Sequence, residues 1–328
     1  MTPAGRVELH THLEGSVTPE RLILLAEKYG QSGLLEKCLD AAGTAYVFDG
    51  FLDFLVLFKH VTSLFREPSD FHALALDLGD QLAADGVGYA EVSLSYGVMQ
   101  WRDIDPLAVQ RALVEAADEV EETRRVRMRW IPDAVRQWTM DQAWRAWEAA
   151  ATAGRDLGVV GFGLGGDEAA RPAADFAGLF GEVRQEGLGV TIHAGEVPAM
   201  GAAAVASIRQ AVEDCGADRI GHGLAAPADP LLMAALAARR VFVELCPGSN
   251  VATGGLTDFA QHPLRAFLDA GVPCSLNTDD RTLFGLDLTG EYRRAADLLQ
   301  LTEAEQEGMQ KAARGAAFCD PGPFVPED

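Results

Sequence analysis

Cysteine is sparse and unpaired in this chain. Cys38, Cys215, Cys246, Cys274 and Cys319 are odd in number and scattered, with no CxxC among them. That pattern fits reduced thiols in a cytoplasmic protein better than a disulfide framework. No basic-then-apolar leader opens the sequence, and no apolar run approaches membrane-spanning length, so no membrane partner is expected. Positive charge is short: 27 Lys and Arg stand against 49 Asp and Glu, a formal net charge of −22. So acidic a chain repels phosphate backbones, which argues against nucleic acid as partner or substrate, although solubility alone would account for the acidity. No GxGxxG follows the first apolar run, where a dinucleotide-binding sheet would place it.

What is present is a regular alternation. At 328 residues, 48% hydrophobic and 23% charged, the chain is long enough to bury a large core. Short apolar runs alternate with segments of helical periodicity: strands at 6–9, 86–94, 126–131, 158–162, 188–193, 218–222, 241–245 and 272–277, with helices between them and a last helical stretch over 289–318. Thr18-Pro19-Glu20 reads as a helix start with Pro at the first position. Phe51, Phe54, Leu55 and Phe58 recur at i, i+3, i+4, i+7, an aromatic helical face suited to core packing or, more sharply, to a lid or pocket wall. Short strands apolar throughout are those covered on both faces. The expected architecture is α/β, a single (β/α)8 TIM barrel over residues 1–328 with extra helices after the first strand and at the C-terminus. An open doubly wound sheet is the structural competitor.

Polar residues gather at the predicted strand ends. His10 and His12 end the first strand, and their i, i+2 spacing puts both rings on one side. Alone, such a pair is equally two ordinary surface histidines. Gly166-Asp167-Glu168 follows strand four, His193-Ala194-Gly195-Glu196 ends strand five, and His222 ends strand six. Cys246 to Asn250 follows strand seven, and Asn277-Thr278-Asp279-Asp280 ends strand eight. Barrel active sites sit at the C-terminal strand ends, and four of the seven histidines fall there; His60, His72 and His262 lie on predicted helices. His10, His12, His193 and Asp279 can hold one metal, with zinc the first candidate. Glu196 is placed to shuttle protons and His222 to orient an attacking water. Asp279 and Asp280, side by side, need a cation or donor each, unless they merely cap a helix or a solvated loop.

The runs ELHTHLEGS, GGDE, HAGE, RIGHG, ELCPGSN and NTDD, in this order over residues 8–280, resemble the adenosine deaminase family of the metal-dependent amidohydrolases. The resemblance implies one Zn²⁺ per chain on His10, His12, His193 and Asp279. It also implies attack of activated water on C6 of an adenine ring, with loss of ammonia to leave a 6-oxopurine. Glu196 would protonate the ring, while His222 and Asp279 would orient the water. Gly166 and Asp280 would contact ring nitrogens N3 and N7, and Phe51, Phe54, Leu55 and Phe58 would form the hydrophobic gate.

Three residues depart from the family's pattern. Glu14 stands where Asp usually contacts the ribose, which looks like the branch accepting adenine or modified nucleosides. Arg281 replaces a common Pro, and could read an acidic substituent such as that of aminodeoxyfutalosine, or simply pair with a local acid. Gly165 stands where Ala is common. The expected substrate is a small-molecule 6-aminopurine nucleoside, adenosine or a 5′-modified relative. Free adenine is the alternative within the family. Hydrolysis of another C–N or phosphoester bond is more distant, although no Lys follows strand four as in many two-metal relatives. A non-catalytic binding protein with a relic site would not need every ligand and Glu196 intact. The pattern says nothing of oligomeric state.

Overall fold

The computed structural model describes residues 5–325. The ends of the expected single domain, residues 1–4 and 326–328, lie outside the described residues. Eight strands form one sheet: β1 Arg6–His12, β2 Val87–Leu94, β3 Arg127–Val135, β4 Gly161–Gly165, β5 Gly189–Ala194, β6 Arg219–His222, β7 Phe242–Leu245 and β8 Cys274–Leu276. Each pairs in parallel with its sequence neighbours, in the order β1 to β8. The barrel closes just beyond β8. The His12 N–H donates to the Asp279 carbonyl at 3.1 Å, and the Asp279 N–H donates to the His10 carbonyl at 3.0 Å. This is the expected TIM barrel, and the seam that closes it runs through the candidate site.

The strands are short and almost wholly buried, as helices outside and side chains inside require. Helix starts follow local chemistry. Thr18 accepts from the Arg21 N–H ahead of Pro19–Lys28, and Thr302 and Glu305 form a reciprocal capping box ahead of Glu303–Ala316. The extra helices are where they were expected. Pro19–Lys28, Gly50–Thr62 and Pro68–Ala84 separate β1 from β2, and Leu288–Leu299 and Glu303–Ala316 follow β8. The predicted stretch 289–318 is therefore two helices. Gln300 turns into the left-handed region at φ 56° and the Thr302 cap restarts the chain. His262 is buried just before the helix Leu264–Asp269, not on a helix. Pro263 disfavours the helical conformation for the residue before it.

The lower end of the barrel is plugged by the C-terminal segment. The Phe318 ring lies 3.7 Å from the Arg219 guanidinium carbon, and a Cβ on Gly189 would overlap that ring. Glycine at this strand start lets the plug seat. Arg219, buried beneath it, bridges Glu91 at 2.6 Å and Glu244 at 2.6 Å. All five cysteines are free thiols. Among the described residues no helix is long and apolar enough to cross a membrane.

Candidate metal and active site

Five side chains converge at the upper strand ends. His10, His193, His222 and Asp279 each bring one ligand atom within 4.8 Å of the others. His12 joins from β1, its Nε2 being 3.2 Å from Asp279 Oδ1 and 3.2 Å from His193 Nε2. The barrel brings these residues together from β1, β5, β6 and the loop after β8. His222 and Asp279 both adopt φ 64°, left-handed backbone that ordinary strands avoid and that functional sites often hold. Room is also made by subtraction: a Cβ on Gly221 would stand 2.7 Å from His10 Cε1.

Neighbouring groups sort the rings by tautomer. His10 Nδ1 lies 2.8 Å from Glu244 Oε2, and His193 Nδ1 lies 3.1 Å from the Leu164 carbonyl. Each Nδ1 donates, which leaves Nε2 as the ring atom that can face a metal. His222 is the opposite case. The Asn250 amide nitrogen faces its Nδ1 at 3.2 Å and donates to it, so the proton sits on Nε2. A ring so arranged can donate a hydrogen bond from Nε2.

The buried Nε2 atoms of His10 and His222 have no hydrogen-bond partner among the described residues, a need that a cation and a polar ligand would meet. The field favours a cation. Burial pushes His10 down, yet Asp279 and Glu244 outweigh it and hold the ring up at about 9. Asp279 is itself fixed, since Ser249 Oγ donates to its Oδ2 at 2.6 Å, leaving Oδ1 toward His10 and His12. Three imidazoles and one carboxylate, with hydrogen-bonded outer partners, make a donor set that fits a divalent metal.

Glu196 and His222 stand beside this cluster. Glu196 Oε1 and Asp279 Oδ2 each lie 3.9 Å from His222 Nε2. Burial, with Asp279 and Glu168 nearby, raises the Glu196 carboxyl to about 8, so it can carry a proton at neutral pH. Burial acts likewise on Asp280, which stands at about 8 against the pull of His12 and with the push of Asp279. Burial lowers the His222 ring to about 4, keeping it neutral. Glu168 clamps the loop that carries Glu196, accepting from the N–H groups of Gly195 at 2.5 Å and Glu196 at 3.0 Å.

A cavity of about 370 Å³ opens above these groups. Phe51, Phe54, Leu55 and Phe58, all from the helix Gly50–Thr62, line it together with Gly166, Glu196, His222 and Asp280. Glu14 stands one layer behind, its Oε1 accepting from the N–H of Ser95, which does line the cavity. Of the two roles expected for Arg281, pairing with a local acid holds and reading a substituent does not. It does not reach the cavity but is buried, paired with Asp85 and lying 3.9 Å from Glu8. The backbone turn at Asp279 sends Asp280 up and Arg281 back into the barrel wall. Sequence reasoning missed Asp133, Ser95, Gln137, Trp101 and Trp138, which also line the cavity. Of these only Asp133, an acid directly after Pro132 in an apolar run, carries a visible signal.

Residues 5–322 match the adenosine deaminase family. The chain is 35% identical over 319 residues to the aminodeoxyfutalosine deaminase of Acidothermus cellulolyticus, covering 96% of this chain and 87% of that protein. It is 36% identical over 315 residues to the adenine deaminase of Rhizobium leguminosarum bv. trifolii, covering 96% and 95%. Among solved structures, the adenine deaminase of Arthrobacter aurescens superposes with a TM-score of 0.86 at 25% identity, over 97% of this chain and 95% of that one. The chain is a hydrolytic deaminase and belongs to the adenosine deaminase family.

Proposed function

We propose that this enzyme uses zinc to deaminate a 6-aminopurine nucleoside, adenosine or a 5′-modified adenosine such as aminodeoxyfutalosine, to the 6-oxopurine and ammonia. The observation that carries this reading is the triangle of Glu196, His222 and Asp279 around one point, 3.9 Å on two sides, at the floor of an apolar-walled cavity. His10, His12, His193 and Asp279 would hold the metal, which supplies the Lewis acidity that makes water a nucleophile near neutral pH. The chain's own groups do the rest. The Phe51–Phe58 face holds the flat ring and excludes water. The Gly166 N–H donates to N3. Asp280, protonated at neutral pH, donates to N7. Glu196 gives its proton to the ring nitrogen beside C6 as oxygen adds there. His222 Nε2–H donates to the oxygen added at C6 as charge develops on it. The C6–N bond then breaks and ammonia leaves with a proton relayed through Glu196.

A nucleoside is favoured over the free base because the cavity of about 370 Å³, lined also by Lys59, Trp101 and Trp138, offers more room than a bare purine fills. Free adenine is the second reading, supported by the relatives that carry that name. The cytoplasmic setting belongs to the same reading and is supported by the five free thiols. The deciding experiment offers adenosine, aminodeoxyfutalosine, methylthioadenosine and adenine to the zinc-loaded protein and measures ammonia. The nucleosides should be turned over with kcat/KM at least about tenfold above adenine, a difference of about 1.4 kcal/mol. The reverse order selects the second reading, and silence on all four removes both.

A further inference from the structure

We propose that the lower end of the barrel carries a second binding site, one for a small organic anion with two or more phosphate groups. It lies at the opposite end of the strands from the catalytic cavity and does not depend on the deaminase reading. A recess of about 850 Å³ opens there, against the starts of β5, β6 and β7. Arg155, Arg184, Arg219, Arg239, Arg240 and Lys311 line it, and among the described residues Asp218 is the one acid that does so. In a chain of net charge −22 such a cluster runs against the average. Cations held this close repel one another until an anion joins them.

Helix-end electrostatics explains only part of the cluster. Arg184 and Arg239 stand in the last turns of Ala177–Gln185 and Pro230–Arg239, where a cation suits the helix dipole. Lys311 is in the middle of Glu303–Ala316 and Arg219 opens β6. Internal pairing leaves most of the charge unmatched. Asp218 lies 3.4 Å from Arg184 and accepts from the Val190 N–H. Arg155 donates only to the carbonyls of Gly187 and Phe318. The exposed side chains of Arg239 and Arg240 meet no acid among the described residues. Arg219 pairs with Glu91 and Glu244, yet its buried Nη2 has no hydrogen-bond partner among the described residues, a donor that calls for an acceptor. Space is also kept for a ligand. Gly308 and Gly315 line the recess from Glu303–Ala316, and a Cβ on either would meet nothing within 4 Å. Glycine weakens a helix, and no contact here requires it. Leu188, Val241 and Phe318 add apolar lining, so a phosphate ester fits better than a bare ion. A nucleic acid would run on from the recess over a surface that is acidic overall, which a compact anion avoids.

The test is calorimetric titration of the zinc-loaded protein with fructose 1,6-bisphosphate and, separately, with magnesium-saturated guanosine triphosphate. The first has no purine to enter the catalytic cavity, and neither has a 6-amino group to lose. The sugar bisphosphate should bind with Kd below about 1 mM, more weakly as salt is raised. Equal affinity for the two probes assigns the site to phosphate groups alone, and tighter binding of the nucleotide adds its base. Arg239→Ser combined with Arg240→Asn should weaken both at least about tenfold. Asn is chosen because Arg240 sits at φ 55°, which Asn tolerates. Gly308→Glu, which puts bulk and negative charge into the open space, should weaken both as much without lowering Tm. Ammonia release from adenosine should stay within about twofold of wild type in all variants, since none of these residues touches the catalytic cavity. No binding of the sugar bisphosphate to wild type at low salt, or binding that folded forms of both variants retain, overturns the proposal.

Discussion

Glu196→Gln is expected to lower kcat by about 10²–10⁴-fold, the range for loss of a positioned acid–base group, with zinc still bound. Gln has nearly the shape of Glu and can accept a hydrogen bond, but it has no carboxyl proton to give. Glu196 is not among the groups that gather as ligands, and its backbone is held by Glu168 whichever side chain it carries. The split between activity and metal content is therefore the diagnostic. Measuring ammonia release and zinc per chain on the same sample checks it. Activity within a few-fold of wild type would remove Glu196 from the proton-transfer role. Lost zinc would instead make it a ligand.

Glu244→Ala is expected to damage both the metal site and the fold. Glu244 is wholly buried, accepts from Thr191 Oγ1 at 3.1 Å, pairs with Arg219 at 2.6 Å and orients His10 at 2.8 Å. Burial opposes its charge, but Arg219 and His10 more than compensate and hold the carboxyl below its usual range. Removing it frees the His10 ring to rotate, which should weaken metal binding about 10–100-fold. It also leaves Arg219 buried with Glu91 alone, so stability should fall by about 3–5 kcal/mol. Arg219→Met should share the loss of stability and largely spare the tautomer of His10, since the Glu244 contact to Nδ1 remains. Metal-competition titrations and thermal unfolding separate the two effects. A Glu244→Ala protein with wild-type zinc affinity would show that His10 is fixed by other contacts.

Much of this site was legible in the chain. The strand-end histidines and acids, the aromatic face at 51–58 and the barrel itself could be read, because a parallel barrel puts its chemistry at predictable ends of short apolar runs. Two gaps have local causes. Asp133 was missed because Pro132 reads as the end of a strand, whereas β3 runs on to Val135. Pro132 is where the register with β2 ends, at Leu94↔Pro132, while β3 goes on pairing with β4 from Asp133↔Gly163. For Arg281 an acidic substituent and a local acid were both open, because residue type does not say whether the side chain follows its neighbour Asp280. The positive φ at Asp279 separates the two, and nothing in residue types alone announces that turn. The tautomer assignment of His222 was likewise out of reach, since it depends on Asn250 arriving from beyond β7.

The central claim is hydrolysis at one metal-supported site. It is tested most directly by stripping the protein of metal, returning zinc stepwise, and following ammonia release from adenosine or its 5′-modified relatives in isotope-labelled water. Activity should be absent from the stripped protein and rise to a plateau at one zinc per chain, with one labelled oxygen at C6 for each ammonia released. Full activity in the stripped protein, or a product that keeps its 6-amino group, would contradict it.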